Sequence, residues 1–494
     1  MKAIRVRNLR SFANDESQPF VELKPLTIFV GKNSCGKSSL LRTLPLLRQS
    51  VEERTSGPIL WYGTYADFGM FHQAKHKYSK EDIIYFDLKL DNDNYDDIVI
   101  KLGVTVYKKH TKFHTLSIDI GDNNLLFEFD NISQAVYTLN NEAVTKTLRY
   151  YLSENNFLPS LFYHSNSEET EPNYFEEFCE ILFSFYSYIE EYDDDENLDI
   201  TDFYDEVSAA FSLSVFTSPK TLIETIDEEL AYFLVKKRSI PSEIEDKLFK
   251  LYLKFSGNDI LSKCNKLLLD EFKGIRYIAP LRATAERYYR FQDFHINELD
   301  HTGSNLAMLL RSLSPKQAKF FQHWTDKNFG FKVYIKEEGL HYEIMVEIDG
   351  SPNNVSDMGF GFSQILPIVT SLWAEQSNIL RTNIFPSNEI NKTFVIEQPE
   401  LHLHPELQAR LASVFLKVAT AVKRRNSSTK IIFETHSKTM INAIGDEIEE
   451  NPELRDKVNI VIFNKEDTET NVKSVSFDEY GDLVDWPIGF FSGR

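Results

Sequence analysis

The residues whose types and spacing promise chemistry begin near the N-terminus, where Gly31-Lys32-Asn33-Ser34-Cys35-Gly36-Lys37-Ser38 spell G-x-x-x-x-G-K-S, with Ser39 directly after. Glycines at both ends let the backbone turn tightly, so that successive N–H groups converge on phosphate oxygens. Lys37 supplies a mobile positive charge for the β- and γ-phosphates, and the Ser38 hydroxyl is a ligand for Mg²⁺. The flanks fit the motif. Leu26, Ile28 and Val30 alternate with Thr27 and Phe29 as a strand, and Leu40, Leu41, Leu44 and Leu47 recur at helical spacing after the loop. The phosphates therefore belong at a helix N-terminus, where free N–H groups and the helix dipole favour anions. A chance glycine-rich turn would not be expected to carry both flanks. The pattern predicts nucleoside triphosphate binding.

A phosphate loop is shared by many machines, so a second acidic motif has to narrow the class. Thr393-Phe394-Val395-Ile396 reads as a buried strand ending in Glu397-Gln398-Pro399-Glu400. An acid at the tip of such a strand is what Mg²⁺ needs, directly or through water. Lys37 and Glu397 are 360 positions apart, so the nucleotide fold must be split by inserted material. Asp357-Met358-Gly359-Phe360-Gly361-Phe362-Ser363-Gln364 precedes an apolar helix containing Ile365, Leu366, Ile368 and Val369, which makes a second anion-binding turn. Ile431-Ile432-Phe433-Glu434-Thr435-His436-Ser437 reads as a strand ending in a histidine able to sense or polarise a γ-phosphate.

The elements that must position these motifs follow from periodicity. Ile84, Phe86, Leu88 and Leu90 alternate with polar neighbours, and 97–107, 115–120 and 125–129 continue in that style between Asn, Asp and Gly breaks. This predicts an antiparallel β-region. From Asn141 to Phe272 the period becomes helical, with stripes at Phe175, Phe178, Leu182, Phe185 and Ile189, at Leu222, Ile226, Leu230, Phe233 and Leu234, and at Ile244, Leu248, Leu251 and Phe255. No heptad pattern persists long enough for a long coiled coil. Strands return from Gly274, and a hairpin is predicted over 332–349 with its turn at Glu337-Glu338-Gly339. The expected division is 1–140 and 274–445 as two parts of one ATPase head, 141–273 as an acidic helical insertion, and 446–494 as a C-terminal extension.

Composition bounds the rest. The chain has 494 residues, 42% of them apolar, with 38 Phe and 23 Tyr, which fits a globular protein with material for about three domains. The net charge of −21 is local. Between Glu168 and Glu229 stand 20 Asp or Glu and one Lys, a charge of −19, which leaves −2 for everything else. That segment would repel a phosphate backbone, so nucleic acid is not the favoured partner. It is a solvated helical face or a docking surface for a basic partner. Three cysteines, one of them inside the phosphate loop, make no disulfide framework, and neither a leader nor a membrane-length apolar run is visible. A cytoplasmic protein is expected.

The order G-x-N-x-x-G-K-S, G-x-G-x-S-Q, hhhE-Q-P-E-L-H-L-H-P and E-T-H-S resembles ABC-type ATPases of the overcoming-lysogenisation-defect (OLD) group, relatives of RecF and SMC heads. The resemblance covers Met1 to about Gln73 and Gly274 onward, but not the acidic insertion. The closing 482–491 also resembles OLD-like ATPases without a nuclease domain, of the kind found in the PARIS, Septu and retron anti-phage systems. The resemblance implies an α/β ABC head with ATP and Mg²⁺ as cofactors. Gly31 to Ser39 would hold ATP, Ser38 and Glu397 the Mg²⁺, and Gly361, Ser363 and Gln364 of a second copy would cover the γ-phosphate. Glu397, Gln398, Glu400 and His436 would form the hydrolytic set in a homodimer or higher oligomer. It further implies a sensor that controls a separately encoded toxic effector, a nuclease for preference, with a phage protein as trigger. A RecF-like DNA-repair ATPase is the alternative. Only about fifty residues follow Asp446, too few for a toprim nuclease of the OLD type.

One departure stands out. The position after the Mg²⁺ acid, where a glutamate activates water in most ABC ATPases, is Gln398, which can orient a water but not accept its proton. Glu400 is the alternative base, and slow hydrolysis is expected. His402 and His404 have loop rather than metal-ligand spacing, and Asp193-Asp194-Asp195 reads as a solvated turn. Arg282, Arg287 and Arg290 are candidates for phosphate, nucleic acid or the acidic insertion, against surface salt bridges as the plain reading.

Overall fold

The computed structural model describes residues 1–53, 55, 57–92, 95–130, 133–153, 156–163, 173–188, 200–211, 215–231, 235–290, 296, 298–339, 341–377, 391–421 and 428–486. The chain divides into two compact units. One comprises 1–9, 53–60 and 71–269, the other 10–52, 61–70 and 270–494.

The second unit carries the motifs. Its main sheet runs in the order Ile275–Ile278, Lys392–Glu397, Thr429–Glu434, Leu26–Gly31, Val458–Glu466 and Glu469–Val475. The first five strands are parallel, and the last closes the edge antiparallel. Every residue of Leu26–Gly31 is buried, as a central parallel strand covered on both faces requires. That is why the run is continuously apolar. Helices Lys37–Glu52, Phe360–Gln376, Pro405–Thr420 and Lys438–Glu450 supply the apolar faces, with Leu40, Leu366, Phe415 and Ile444 among their buried residues. The hairpin predicted over 332–349 forms from Lys332–Glu338 and His341–Ile348, with Glu338↔His341 as its closing pair.

The first unit is built on the predicted antiparallel sheet, which is longer than expected. Ala3–Arg7, Ile83–Asn92, Tyr95–Tyr107, His110–Ile120, Asn123–Phe129, Gln134–Leu139, Glu142–Tyr151 and Ser160–Tyr163 pair in succession. The last two strands lie where helix was expected from Asn141, so the helical stretch begins only at Tyr174–Phe183. In 142–151 the aliphatic positions suit helix or strand alike, and cross-strand pairing with 134–139 decides for strand. The sheet also groups with the helices of 174–269 rather than with the phosphate-loop strand. Of the three helical stripes, Phe178 and Leu182, Leu222, Ile226 and Leu230, and Leu248 and Leu251 are buried. The first stripe stops early, because the helix ends at Phe183 and Phe185 falls in the turn after it. Ile189, Asp193, Asp194, Asp195, Phe233 and Leu234 lie outside the described residues, as does 487–491 of the closing segment.

Candidate functional site

Parallel strands in register bring their C-terminal tips to one edge of a sheet, and loops at that edge build the site. Glu397 and Glu434 are register partners at the ends of neighbouring strands, and Gly31 ends the next strand but one from Glu397. The loop from Gly31 turns through Ser34, at φ +61, and Gly36, at φ +99. A Cβ at Gly36 would lie 2.7 Å from Thr470 Oγ1, so glycine is demanded by space as well as by backbone. Thr470 Oγ1 in turn donates to the Cys35 carbonyl at 2.9 Å, which ties the loop to the edge hairpin.

Lys37 is buried at the start of its helix, and its Nζ donates to the carbonyls of Gly31 (3.0 Å) and Lys32 (2.9 Å). The ammonium thus spans the inside of the loop, where phosphate oxygens are stronger acceptors than these carbonyls. The next residue, Ser38, donates its hydroxyl to Glu434 Oε2 at 2.8 Å. Glu397 is engaged differently. Arg42, one helical turn after Ser38, forks onto it with Nε and Nη2, each at 2.7 Å, and Tyr277 donates its hydroxyl at 2.6 Å. The Arg42 guanidinium is held further above its ordinary range by that carboxylate, and burial beside Glu397 pushes the Tyr277 phenol up. Burial, and after it Glu397, raises the Glu434 carboxyl to about 7.

Past Glu397 the chain reverses through Gln398, a non-glycine residue at φ +42 whose N–H donates to the Glu434 carbonyl at 3.1 Å. Strained backbone of this kind gathers at functional turns, where surrounding contacts over-determine it. Glu400 receives the His436 N–H on Oε1 at 2.8 Å, and its Oε2 is buried with no hydrogen bond of ordinary geometry among the described residues. Burial raises its carboxyl above the usual range, against the pull of the His436 N–H and the Thr435 hydroxyl. The His436 ring is exposed, and burial of part of it, with Lys37 nearby, lowers its proton affinity. The neutral imidazole is therefore the form present at neutral pH.

The turn at 359–364, expected to bind an anion, has committed side chains. Gly359 takes φ +78 into the helix Phe360–Gln376, and the Phe360 ring is exposed. Ser363 and Gln364, expected to reach across to a second copy, are buried. Ser363 Oγ accepts the Ala285 N–H at 3.2 Å, and Gln364 exchanges bonds with the Arg282 N–H and carbonyl at 3.4 and 3.3 Å. A Cβ at Gly361 would stand 2.9 Å from the His402 carbonyl, which packs this turn on the loop after Glu400. His404 caps the helix Pro405–Thr420 through Nδ1, a structural use in line with its loop spacing.

Ser38, Glu397 and Glu434 offer hard oxygen donors beside a phosphate loop, the donor chemistry that suits Mg²⁺. Among the described residues, no group of three or more His, Cys, Asp or Glu is placed to hold a metal ion. The structure brings Gly31 to Ser39, Glu397, Gln398, Glu400 and His436 to one sheet edge. Sequence reasoning missed Arg42, Tyr277, Glu434 and Thr470. Of these only Glu434 left a legible signal, as an acid ending the apolar run Ile431-Ile432-Phe433. Among the described residues, no helix is long and apolar enough to cross a membrane.

No curated protein matches the chain. Among solved structures it is similar to the SMC head domain from Thermotoga maritima, at 9% identity and TM-score 0.37, over 96% of this chain and 97% of that one. A Smc head domain with an extended coiled coil from Pyrococcus furiosus, bound to the C-terminal domain of ScpA, aligns at 11% identity and TM-score 0.38 over 96% of each chain. The recombination mediator protein RecF in complex with ATPrS aligns at 12% identity and TM-score 0.29, over 95% of this chain and 97% of that one. The family model described as the AAA ATPase domain matches residues 1–441, on the phosphate loop and acidic strand end described above, and the chain belongs to that family of ATPases.

Proposed function

We propose that this ATPase is a slow, ATP-clamped switch. Two copies close over ATP, each lending its Gly361–Gln364 turn to the triphosphate held by Gly31 to Ser39 of the other. In this reading Lys37 carries the β- and γ-phosphate charge, Ser38 and Glu434 face the Mg²⁺, and Glu397 supports it through water and Arg42. His436 contacts the γ-phosphate as a neutral imidazole. Bound Mg²⁺ supplies charge neutralisation on the phosphates, and the chain supplies position. The switch holds or releases a separately encoded effector, a nuclease for preference, in a bacterial anti-phage system.

The observation that carries slowness is the state of the two candidate bases. Gln398 is a neutral amide in a left-handed turn, and Glu400 already has one oxygen committed to the His436 N–H. A general base contributes about 10²- to 10⁴-fold, so hydrolysis without a free one leaves ATP bound for long periods. Sedimentation of the full chain with and without Mg-ATP tests the clamp, using wild type, Lys37→Ala and Ser363→Ala. ATP-dependent association should be present in wild type and weakened by either alanine. Association indifferent to both would overturn the clamp, and salt-sensitive DNA binding that accelerates hydrolysis would turn the reading toward DNA repair.

A further inference from the structure

Arg282 follows the edge strand Ile275–Ile278, and its side chain is only 5% exposed. Its Nη2 donates to the Glu397 carbonyl at 2.9 Å, while Nε and Nη1 are buried and make no hydrogen bond among the described residues. Its peptide group is pinned on both sides by the Gln364 amide. Burial lowers the guanidinium to about 10, with Glu400 and then Glu397 opposing. An unpaired buried cation is among the more expensive features a fold can retain, and buried idle donors call for a reason. Beside it Glu400 has Oε1 bonded to the His436 N–H and Oε2 buried with no hydrogen bond of ordinary geometry among the described residues, the Thr435 hydroxyl standing near the carboxyl.

These groups lie on a contiguous polar path. It starts at the Ser38 hydroxyl and passes to Glu434, then along the strand tip to the His436 N–H and Glu400. On its far side, Arg282 is bonded to Gln364 of the second anion-binding turn. One link is open among the described residues, between Nε and Nη1 of Arg282 and the inner oxygen of Glu400. We propose that Arg282 is a positioning residue that ties the Ser363–Gln364 turn to the state of the nucleotide pocket. Its Nε and Nη1 close onto Glu400 when a triphosphate occupies the phosphate loop, and through Gln364 that closure sets the turn for a second copy. This rests on the clamp reading for what the turn then meets, but the link itself lies within one chain. A structural role alone, capping the Glu397 carbonyl, would leave the turn indifferent to nucleotide.

Hydrogen exchange of the full chain, with and without Mg-ATP, separates these cases in wild type, Arg282→Lys, Arg282→Gln and Glu400→Gln. In wild type, ATP should slow exchange in both 31–38 and 359–366. Arg282→Gln and Glu400→Gln should keep the first response and lose the second by about tenfold, within the usual range of coupling between sites. Arg282→Lys, which keeps the charge but not the fork, should recover part of it. Glu400→Gln keeps the proposal falsifiable if Arg282→Gln does not fold. An ATP response at 359–366 that persists undiminished in Arg282→Gln, or in Glu400→Gln, overturns the coupling. If wild type shows the Arg282-dependent response but never self-associates, the clamp fails and the coupling stands.

Discussion

Replacing Glu434 by Gln should stabilise the nucleotide-binding unit, and only above a definable pH. The Glu434 carboxyl is raised from 4.5 to about 7, by burial first and by Glu397 second, against the opposing pull of Ser38, Lys37 and Arg42. Below pH 4.5 both folded and unfolded chains carry the proton, and nothing is lost. As pH rises through 7 the folded chain must give up a proton that the unfolded chain released near 4.5, so stability falls across that window. At 1.36 kcal/mol per pKa unit the full loss is about 3 kcal/mol by pH 8. Gln cannot ionise and keeps an oxygen for the Ser38 hydroxyl. The gain of Glu434→Gln over wild type should therefore be small at pH 5 and grow to about 3 kcal/mol at pH 8. All four tryptophans, Trp61, Trp324, Trp373 and Trp486, lie in this unit, so urea titration followed by their fluorescence reports it selectively. A gain that stays constant from pH 5 to pH 8, or shrinks with rising pH, would refute the reasoning, because only an acid strained by burial produces the slope.

Two further predictions concern the other unit and the chemistry. Asp87 is fully buried and accepts Arg5 Nε and Arg7 Nε, each at 2.8 Å, so Asp87→Asn should destabilise the antiparallel unit by about 3–5 kcal/mol. Denaturation followed by far-ultraviolet circular dichroism checks it, and a loss under about 1 kcal/mol would show that the triad is not stabilising. Gln398→Glu should speed single-turnover hydrolysis by about tenfold or more by restoring a proton acceptor, and Glu400→Gln should slow it. Fast wild-type turnover insensitive to Glu400→Gln would remove both assignments.

The site was legible where chemistry and strand ends coincide. A glycine-rich loop between an apolar strand and a leucine-striped helix has few meanings, and an acid after Ile396 has few more. What the residues could not disclose were partnerships across long gaps. Arg42 and Glu397 are 355 positions apart, and their fork depends on a helix face and a strand tip that meet only once the sheet is assembled. Ser363 and Gln364 belong to the right turn, yet rotamer and packing point them into 282–285, and no periodicity announces that. In 142–151 residues such as Val144 and Leu148 suit helix or strand alike, and pairing with a neighbouring strand settled the matter.

The asymmetry between the two strand-end acids decides how the pocket treats a cation. Glu397 and Glu434 sit in register, so their charges repel wherever both are ionised. The fold resolves this by giving one of them a permanent counter-charge. Arg42 occupies both oxygens of Glu397 with a bidentate fork, the strongest pairing a carboxylate makes with a side chain, and Tyr277 takes a further lone pair. Among the described residues, the Glu434 carboxyl receives the hydroxyl of Ser38 and no charged fork. A divalent ion arriving with triphosphate would have to break a charged fork to reach Glu397, but needs only to turn a hydroxyl to reach Glu434. In the proposed clamp the inner oxygen would therefore fall to Glu434, and Glu397 would act at one remove, by fixing Arg42 and the strand tip from which Gln398 turns.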